Sequence, residues 1–421
     1  MQTHFSEAQR ADPQIRHIDG ILRACVHCGF CTATCPTFVL LGDERDSPRG
    51  RIYQIKDMLE SGRDATAEDA RHVDRCLSCL SCMTTCPSGV NYMHLVDHAR
   101  AHIETTYDRP LGDRLVRRLL AAVLPYPRRF RLALKGARLA APFARALRPA
   151  RAAPAAQAAR GSAAPAVVNA GRHNAPAADF FSRIGAMLAL APKALPAGDS
   201  AARPAVYAPK GPRRARVALL TGCAQQVLSP ATNAAAIRVL NRAGVEVVLP
   251  QGEGCCGALV HHLGQTDASH ASAKANVDAW TAEIEGAGLD AILITASGCG
   301  TTIKDYGFML REDPAYAEKA TRVSALAKDI SEFLAELAIA ASPRAAGIDV
   351  AYHSACSMQH GQKIRREPKA LLEAAGFTVR DVAEGHLCCG SAGTYNIMQP
   401  GIAAELKARK LANLGATGAA I

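Results

Sequence analysis

The sequence contains no uninterrupted run of about 18 apolar residues, so we do not expect a membrane-spanning helix. Its N-terminal stretch, MQTHFSEAQRADPQIRHIDG, is polar and lacks the apolar segment of a secretory signal peptide. No G-x-G-x-x-G pattern follows a predicted strand, which argues against flavin or NAD binding in this chain. These absences predict a cytoplasmic protein, in which cysteine thiols stay reduced.

Aromatic residues make up only 5% of the chain, which leaves few stacking surfaces for nucleic-acid bases. Residues 109–160 alone carry a net charge of +12, from twelve arginines and Lys135 against the single acid Asp113, so the rest of the chain is close to neutral within the total of +11. Only Tyr126, Phe130 and Phe143 interleave with these arginines. A nucleic-acid-binding protein is therefore the distant alternative, and we predict no nucleic-acid partner.

Cysteine, in contrast, is abundant: the 421 residues include 15 cysteines, and eight of them form two copies of one pattern. CVHCGFCTATCP begins at residue 25 and CLSCLSCMTTCP at residue 76, and both read C-x-x-C-x-x-C-x-x-x-C-P. In two-cluster ferredoxins, the fourth cysteine of each such run binds the other cluster. Zinc is the alternative, but it needs only two C-x-x-C pairs. We predict two [4Fe–4S] clusters, the first bound by Cys25, Cys28, Cys31 and Cys86 and the second by Cys35, Cys76, Cys79 and Cys82.

A helix is predicted between these runs, with Ser47 as N-cap, Pro48 at its first position and Gly62 beyond its end. Arg49 and Arg51 on this helix either raise the cluster potentials or lie on a solvated face. The histidines near the runs are interpreted as ordinary side chains rather than cluster ligands; they are His27, His72, His94 and His98.

The basic segment is predicted to be an amphipathic helical arm. Its apolar side is expected to hold Leu115, Val116, Leu119, Leu120 and Val123, and its polar side Arg114, Arg117 and Arg118. Such a helix contacts either an anionic membrane surface or a protein, the latter being a partner subunit or its own domain. The following stretch, RAAPAAQAARGSAAPAVVNAG, is rich in alanine and proline and is predicted to be a linker.

From about residue 205, short apolar runs alternate with alanine-rich helical stretches, and each run precedes a cysteine. This order predicts α/β layers with a largely parallel sheet, whose carboxyl-end loops build the site. Thirty-one residues separate Cys223 from Cys255 and also Cys356 from Cys388, and both intervals end in Cys-Cys-Gly. We therefore predict a duplicated half-domain.

The two halves differ in their cysteines. The first has four, Cys223, Cys255, Cys256 and Cys299, which form a candidate third cluster. The second has three, Cys356, Cys388 and Cys389. It needs a further ligand such as His353, His360 or His386, or else it binds zinc, shares a site or binds no metal.

These features predict an α+β protein with three regions. Residues 1–106 form an α-helical, two-cluster ferredoxin-like domain, and residues 107–204 form the basic arm and the linker. Residues 205–421 form the duplicated Cys-Cys-Gly domain, with its first half at 205–345 and its second half at 346–421.

The double ferredoxin-like pattern with two Cys-Cys-Gly modules resembles the family of heterodisulfide reductase subunits, lactate-utilisation iron–sulfur proteins and the small iron–sulfur subunit of anaerobic glycerol-3-phosphate dehydrogenase. Within this group the chain is most similar to iron–sulfur subunits of glycolate oxidase, notably in the stretches CVHCGFCTATCPTFVLLGDERDSPRGRIYQIKDML, RCLSCLSCMTTCPSGVNY and CSMQHGQKI. Heterodisulfide-reductase modules carry C-x-x-C after each Cys-Cys-Gly. This chain has one cysteine there in the first half and none in the second, which argues against a five-thiolate, non-cubane cluster.

The resemblance implies an electron-transfer subunit without catalytic residues of its own. Partner subunits that bind FAD would oxidise glycolate to glyoxylate, and this chain would pass the electrons to a quinone-type acceptor, with peripheral contact at the inner face of the cell membrane. The cysteine pattern does not distinguish glycolate from lactate or glycerol 3-phosphate, because the substrate would not touch this subunit.

Overall fold

The computed structural model describes residues 1–140, 179–198, 203–338 and 347–421. Helices dominate, and seven short strands form two sheets within the described residues, so the predicted α+β class is confirmed. The alanine- and proline-rich stretch predicted as a linker, residues 151–171, lies outside the described residues.

The N-terminal region is helical. Its helices are α1 (Glu7–Ala11), α2 (Pro13–Ala24), α3 (Pro36–Leu41), α4 (Pro48–Glu60), α5 (Ala67–Asp74), α6 (Ser81–Thr85) and α7 (Tyr92–Thr106). Helix α4 begins as predicted: the Ser47 side chain accepts a hydrogen bond from the Gly50 amide, and Pro48 is the first helical residue. Apolar side chains such as Leu22, Met58 and Leu95 form the core between these helices, beneath the cysteine loops.

The basic arm forms helices α8 (Leu111–Val123) and α9 (Pro127–Ala140), and α10 (Phe180–Leu190) packs beside them. The predicted two-sided division of α8 is wrong in part. Val116 and Leu120 are buried, whereas Leu115 and Leu119 are exposed. Arg117 is buried too, because it pairs with Asp74 and Asp113. A helical wheel cannot reveal this fully, since only Asp113 lies on the same helix and Asp74 lies on α5.

Five strands form the first sheet: β1 (Ala205–Tyr207), β2 (Ala215–Leu219), β3 (Val245–Leu249), β4 (Ala291–Ile294) and β5 (Ala327–Asp329). Their order is β1-β3-β2-β4-β5, and all neighbours are parallel except β1 and β3. Helices cover both faces: α11 (Gln225–Leu228), α12 (Pro230–Arg242), α13 (Ala258–His262), α14 (Thr266–Glu285), α15 (Ser297–Lys304), α16 (Tyr306–Met309), α17 (Ala317–Leu326) and α18 (Ile330–Glu336). One apolar cluster lies on each face of this sheet, which explains the uninterrupted apolar runs of its central strands.

The second sheet has only two parallel strands, β6 (Asp349–Tyr352) and β7 (Thr378–Asp381). A π-helical turn, Ser357–Gln362, follows β6, and the remaining helices are α19 (Glu367–Ala374), α20 (Tyr395–Met398) and α21 (Pro400–Gly415). The repeat predicted from the cysteine spacing is present as a strand before each matching cysteine. The two modules are nevertheless unequal, because the described residues of the second half provide no counterpart of β4.

Candidate functional site

The two ferredoxin-like loops share one backbone conformation. In the first loop, His27 and Gly29 have φ angles of 60° and 87°; at the matching positions of the second loop, Ser78 and Leu80 have 49° and 62°. Left-handed residues reverse the chain within two positions and direct successive thiols to the same side. The spacing of the cysteines therefore corresponds to a repeated three-dimensional loop.

The four cysteines of the predicted first centre line one cavity at the surface of the N-terminal region; they are Cys25, Cys28, Cys31 and Cys86. Cys28 is exposed and the other three are buried or half-buried. Burial raises the pKa of the Cys31 thiol to about 11. Four soft sulfur ligands around one opening fit an iron–sulfur cluster, whose positive irons favour the deprotonated thiolates.

The cysteines of the predicted second centre lie deeper. Cys35, Cys76 and Cys82 are buried and Cys79 is half-buried. Burial raises the pKa of Cys82, and the nearby Cys76 and Cys35 raise it further. The pKa of Cys79 is raised by burial and then by Cys388, with Cys82 and Cys35 also contributing. The structure thus brings these four sulfurs together, close to a cysteine of the C-terminal region.

Hydrogen-bond donors surround the sulfurs of this second group. Arg51, with 1% of its surface exposed, donates from Nη1 to Cys35 Sγ across 3.9 Å. The Tyr92 hydroxyl donates to Cys76 Sγ across 3.8 Å. Positive charge and hydrogen bonds to cluster sulfurs raise reduction potentials. For Arg51, the solvated-face alternative is therefore excluded, whereas Arg49 is half-exposed and pairs with Glu44.

Arg51 pairs with Asp46, an acid that was not identified from the sequence. Asp46 is fully buried; its carboxylate lies 3.4 Å from Arg51 Nη2, accepts a 2.7 Å hydrogen bond from Arg75 Nη1 and lies 2.9 Å from His72 Nδ1. Although burial alone would raise the pKa of Asp46, these partners lower it. The carboxylate is saturated by cations, so Asp46 with the neighbouring Asp43 and His72 is a structural network rather than a metal site.

The histidines near the first two centres have structural partners. His94 stacks on Phe308 at 3.5 Å between ring centroids, and its Nε2 lies 2.9 Å from Asp305. Burial lowers the pKa of His98 to about 4. The ring nitrogen Nε2 of His27 lies 3.4 Å from the Arg49 carbonyl oxygen. For His27 and His94, these contacts support their interpretation as ordinary side chains.

In the first Cys-Cys-Gly module, the cysteines follow the carboxyl ends of three adjacent strands. Cys223 follows β2, Cys255 and Cys256 follow β3, and Cys299 lies in the first turn of α15, after β4. Each thiol interacts with the next in the order 223–255–256–299, and Cys255 and burial raise the pKa of Cys223, while Cys299 and burial raise that of Cys256. Four thiols that adjoin one another in this order form a soft-metal donor set.

The glycine after each cysteine pair meets a strict geometrical requirement. Gly257 and Gly390 both have φ of 82°. A Cβ atom on Gly257 would lie 3.0 Å from the Ser269 carbonyl oxygen, and one on Gly390 would lie 2.5 Å from the Ala403 carbonyl oxygen. Each Cys-Cys-Gly turn therefore depends on glycine both for its backbone angle and for its close packing.

The second module brings Cys356, Cys388 and Cys389 together. Cys356 and burial raise the pKa of the Cys388 thiol to about 12, although the neighbouring Cys389 opposes the rise. Cys356 and Cys388 also share an apolar cluster with Cys79 of the second ferredoxin-like centre. The second Cys-Cys-Gly module therefore packs directly against the N-terminal region.

The π-helical turn after Cys356 joins three sulfur sites. Its Gly361 approaches both α15 and the second ferredoxin-like loop: a Cβ there would lie 2.9 Å from Thr301 Oγ1 and 3.3 Å from Leu80 Cδ1. In the same turn, His360 Nδ1 lies 2.7 Å from Thr84 Oγ1. Isolated π-helical turns occur often at functional sites. No sequence signal in the chain identifies this turn in advance.

The first module also borders a cavity of about 220 Å³ between the basic arm and the sheet. Its lining includes Pro125, Cys223 and Glu253. Glu253 accepts hydrogen bonds from the Thr221 amide and hydroxyl at 2.8 Å each. Burial raises the pKa of Glu253 to about 7. This acid was not identified from the sequence, in which it reads as an ordinary loop residue.

Within the described parts of the chain, no helix is both long and apolar enough to cross a membrane. Residues 21–90 match a family model described as a 4Fe-4S dicluster domain. Residues 217–304 and 350–421 match the model of a cysteine-rich domain.

Similarity to known proteins extends along almost the whole chain. The chain is 42% identical over 411 residues to the glycolate oxidase iron-sulfur subunit of Escherichia coli (strain K12), covering 98% of this chain and 89% of that protein. It is 30% identical over 406 residues to the probable glycolate oxidase iron-sulfur subunit of Bacillus subtilis (strain 168), covering 95% of this chain and 86% of that protein. Lactate utilization protein A of Bacillus cereus (strain G9842) is 26% identical over 48% of this chain and 84% of its own length.

The two domain models and the gathered cysteines define an iron–sulfur protein of the electron-transfer class. The similarity along nearly the full length is more specific, and it confirms the resemblance inferred from the motifs. The chain belongs to the family of glycolate oxidase iron–sulfur subunits.

Proposed function

We propose that this chain carries electrons from flavin-containing glycolate oxidase subunits to a quinone-type acceptor through a row of iron–sulfur centres. The single observation that carries this proposal is the continuity of the sulfur sites. Cys82 borders the cavity of the first centre and also belongs to the second group, and Cys79 of that group adjoins Cys388. Iron–sulfur clusters exchange single electrons, and the protein sets their distance, burial and potential.

We assign ligands by the ferredoxin rule and by the grouping of sulfurs. Cys25, Cys28, Cys31 and Cys86 would hold the first [4Fe–4S] cluster, and Cys35, Cys76, Cys79 and Cys82 the second. Cys223, Cys255, Cys256 and Cys299 would hold a third centre. The chain's own contribution is to bury the second centre beside Arg51, which favours its reduced state.

The first centre is the proposed entry point for electrons. Cys28 is exposed at this centre, and it is surrounded by exposed apolar side chains: Val26 at 67%, Phe30 at 64% and Tyr53 at 60%. Exposed apolar groups clustered around a redox site are typical of a docking surface for a partner protein. A FAD-binding subunit that covers this surface would bring its flavin close to the first centre.

The basic arm is the proposed site of contact with the membrane. Leu111, Leu115 and Leu119 form an exposed row at intervals of four residues along α8, and Leu132 and Leu139 are exposed on α9. Arg118, Arg128 and Lys135 are exposed on the same two helices. Exposed leucines flanked by cations suit the surface of an anionic bilayer. The chain would then act in the cytoplasm, as a peripheral protein on the inner face of the cell membrane.

Glycolate is the proposed substrate of the complex because two relatives that span this chain are named for it. Lactate is the second candidate, since lactate utilization protein A is similar over about half of the chain. Both substrates deliver two electrons to a flavin, and the sulfur sites of this chain would serve either one.

The test uses the complex purified without oxygen together with its flavin subunits. Glycolate is mixed with the complex, and samples are frozen at intervals for electron paramagnetic resonance. We expect cluster signals to appear within one turnover, and to appear far more slowly with lactate. Clusters that dithionite reduces but neither substrate reduces would contradict the proposed function.

A further inference from the structure

The second Cys-Cys-Gly module contains a histidine in the position of a fourth ligand. His353 directly follows β6, and it is close enough to the Cys389 thiol to lower the pKa of that thiol, although Cys388 and burial raise it. Both ring nitrogens, Nδ1 and Nε2, are buried, and neither has an oxygen or nitrogen partner among the described residues. A buried imidazole without such a partner is costly, unless a ligand takes its lone pair.

The other two histidines of this module have different surroundings. His360 is occupied at both nitrogens, with Nδ1 2.7 Å from Thr84 Oγ1 and Nε2 3.2 Å from the His386 carbonyl oxygen. The side chain of His386 is exposed. The sequence offered three histidines as candidate ligands. Of these, only His353 has buried ring nitrogens without a hydrogen-bond partner in the described parts of the chain and lies near the cysteines.

The architecture of the two modules explains why this ligand is a histidine. Cys223 lies four residues beyond β2, and Cys356 lies four residues beyond β6, so these two cysteines correspond. The fourth thiol of the first module, Cys299, follows strand β4, whose counterpart is missing from the described second half. His353 can supply the fourth metal ligand from the end of β6, so the second module needs no third strand to position it.

We propose that His353, Cys356, Cys388 and Cys389 bind an iron–sulfur cluster that has one histidine ligand and accepts electrons from the Cys79 centre. This inference rests on the proposed electron-transfer function. A neutral imidazole in place of a thiolate makes the net charge of the cluster and its ligands more positive by one, which raises the reduction potential. One electron leaves the Cys79 centre and reduces this one, and no bond to the protein breaks.

The two sites are neighbours, and their relative potentials set the direction of the transfer. Cys79 and Cys388 lie in one apolar cluster with Leu77, Leu387 and Tyr395. The Gly390 amide donates to Cys388 Sγ across 3.4 Å, which also favours the reduced state. An acceptor with a higher potential beside the second centre draws electrons out of the N-terminal region.

The direct test is nitrogen hyperfine spectroscopy of the dithionite-reduced, anaerobically purified complex, prepared with ¹⁵N-labelled histidine. We expect one cluster signal to show coupling to a directly bound histidine nitrogen. H353A should abolish that coupling, whereas H386A should leave it unchanged. A fully reduced complex in which every cluster signal lacks histidine coupling would overturn the inference.

The variant H353C controls for misfolding of H353A, because it provides a fourth thiol in place of the imidazole. We expect it to keep the iron content, to lose the nitrogen coupling and to lower the midpoint potential of this one signal. One zinc ion per chain at this site, with no iron, would overturn the inference, as would an unchanged potential in H353C.

The test also separates this inference from the proposed function. If histidine coupling is present after dithionite reduction but glycolate reduces no cluster, the proposed function fails and the ligand assignment stands. If glycolate reduces the first two centres and no coupling appears, the function stands and the assignment fails.

Discussion

The chain contains two duplications. The two copies are structurally more alike in the first duplication than in the second. The two ferredoxin-like loops place left-handed residues at matching positions, although Gly29 in one copy corresponds to Leu80 in the other. The two Cys-Cys-Gly modules keep the glycine angle but differ in sheet size, with five strands against two in the part of the chain that the structure describes. We attribute the conserved form of the short loops to the clusters that they are proposed to bind, whereas a module is also shaped by the surfaces against which it packs.

The two modules also differ in which parts of the protein support the cysteine site. In the first module, apolar layers on both faces of the sheet hold the site. In the second, the small sheet is half-exposed and the site is held by the N-terminal region through Cys79, Tyr395 and His360. The second module therefore depends on its neighbour in a way that the first does not.

The largest expected effect comes from removing one thiol in each module. Cys256→Ser should eliminate the first-module centre alone, with a loss of about four irons per chain if that centre is a cubane. Cys388→Ser should eliminate the second-module centre and should also alter the spectrum of the Cys79 centre, because the two thiols interact. Iron analysis with paramagnetic resonance measures both effects. Loss of every signal in Cys256→Ser would mean that the modules are not independent.

A second comparison concerns the two arginines beside the ferredoxin-like loops. Arg51→Met should reduce the free energy of unfolding by about 3–5 kcal/mol, because it leaves the buried Asp46 with one cation fewer. It should also lower the potential of the second centre. Arg49→Met removes only a half-exposed pair with Glu44 and should cost about 0–1 kcal/mol. Urea unfolding and redox titration test both variants, and equal effects would refute the proposed difference in burial.

The two Cys-Cys-Gly turns predict unequal costs for the same substitution. Gly390→Ala should destabilise by about 3 kcal/mol, since its Cβ would lie 2.5 Å from a carbonyl oxygen at a left-handed φ. Gly257→Ala has the same φ but a contact of 3.0 Å, and about 1–2 kcal/mol is expected. Thermal unfolding of the holo-protein gives the order. A larger loss in Gly257→Ala would contradict it.

The smallest expected effect is on the pH dependence of stability. Each Cys-Cys-Gly module contacts the N-terminal region through a histidine, and the two histidines should respond differently to pH. Asp97 on α7 lies 3.3 Å from His261 and 3.4 Å from His262 on α13, and Arg100 lies beside it. Asp97 raises the pKa of His261, although burial opposes the rise. A raised pKa in the folded state stabilises below the ordinary value of 6.5, and this stability is lost as pH rises through the raised value.

The link of the second module should behave differently over the same range. Burial lowers the pKa of His360 to about 4, so this histidine is neutral in the folded protein above pH 6.5 and its contact with Thr84 does not change there. We expect the gap in melting temperature between wild type and His261→Gln to narrow from pH 6 to pH 8.5. The gap for His360→Gln should instead widen over this range, because near pH 6 the unfolded chain binds a proton at His360 and the folded protein does not. A constant gap for His261→Gln would contradict the ion pair.

Features that repeat along the chain could be predicted from the sequence. The strands before the cysteines, helix α4 and both cysteine loops follow from local patterns, because turn residues and apolar runs act over a few positions. Strands β1 and β5 were not predicted, since each has only three residues, and neither was α10.

Features that depend on residues distant in sequence could not be predicted. The inward turn of Arg117 depends on Asp74, 43 positions away, and the burial of Arg51 depends on Arg75 and His72 around Asp46. The same limit applies to the proposed fourth ligand of the second module. The spacing left three histidines open, and only the packing of His360 on Thr84 and of His353 on Cys389 separates them.

The most direct test of the central claim is the iron and acid-labile sulfide content of the chain in a complex assembled and purified without oxygen. Four centres of the cubane type predict about sixteen irons and sixteen sulfides per chain. About eight of each, with the seven C-terminal cysteines reacting as free thiols, would contradict a row of centres that continues beyond the ferredoxin-like region.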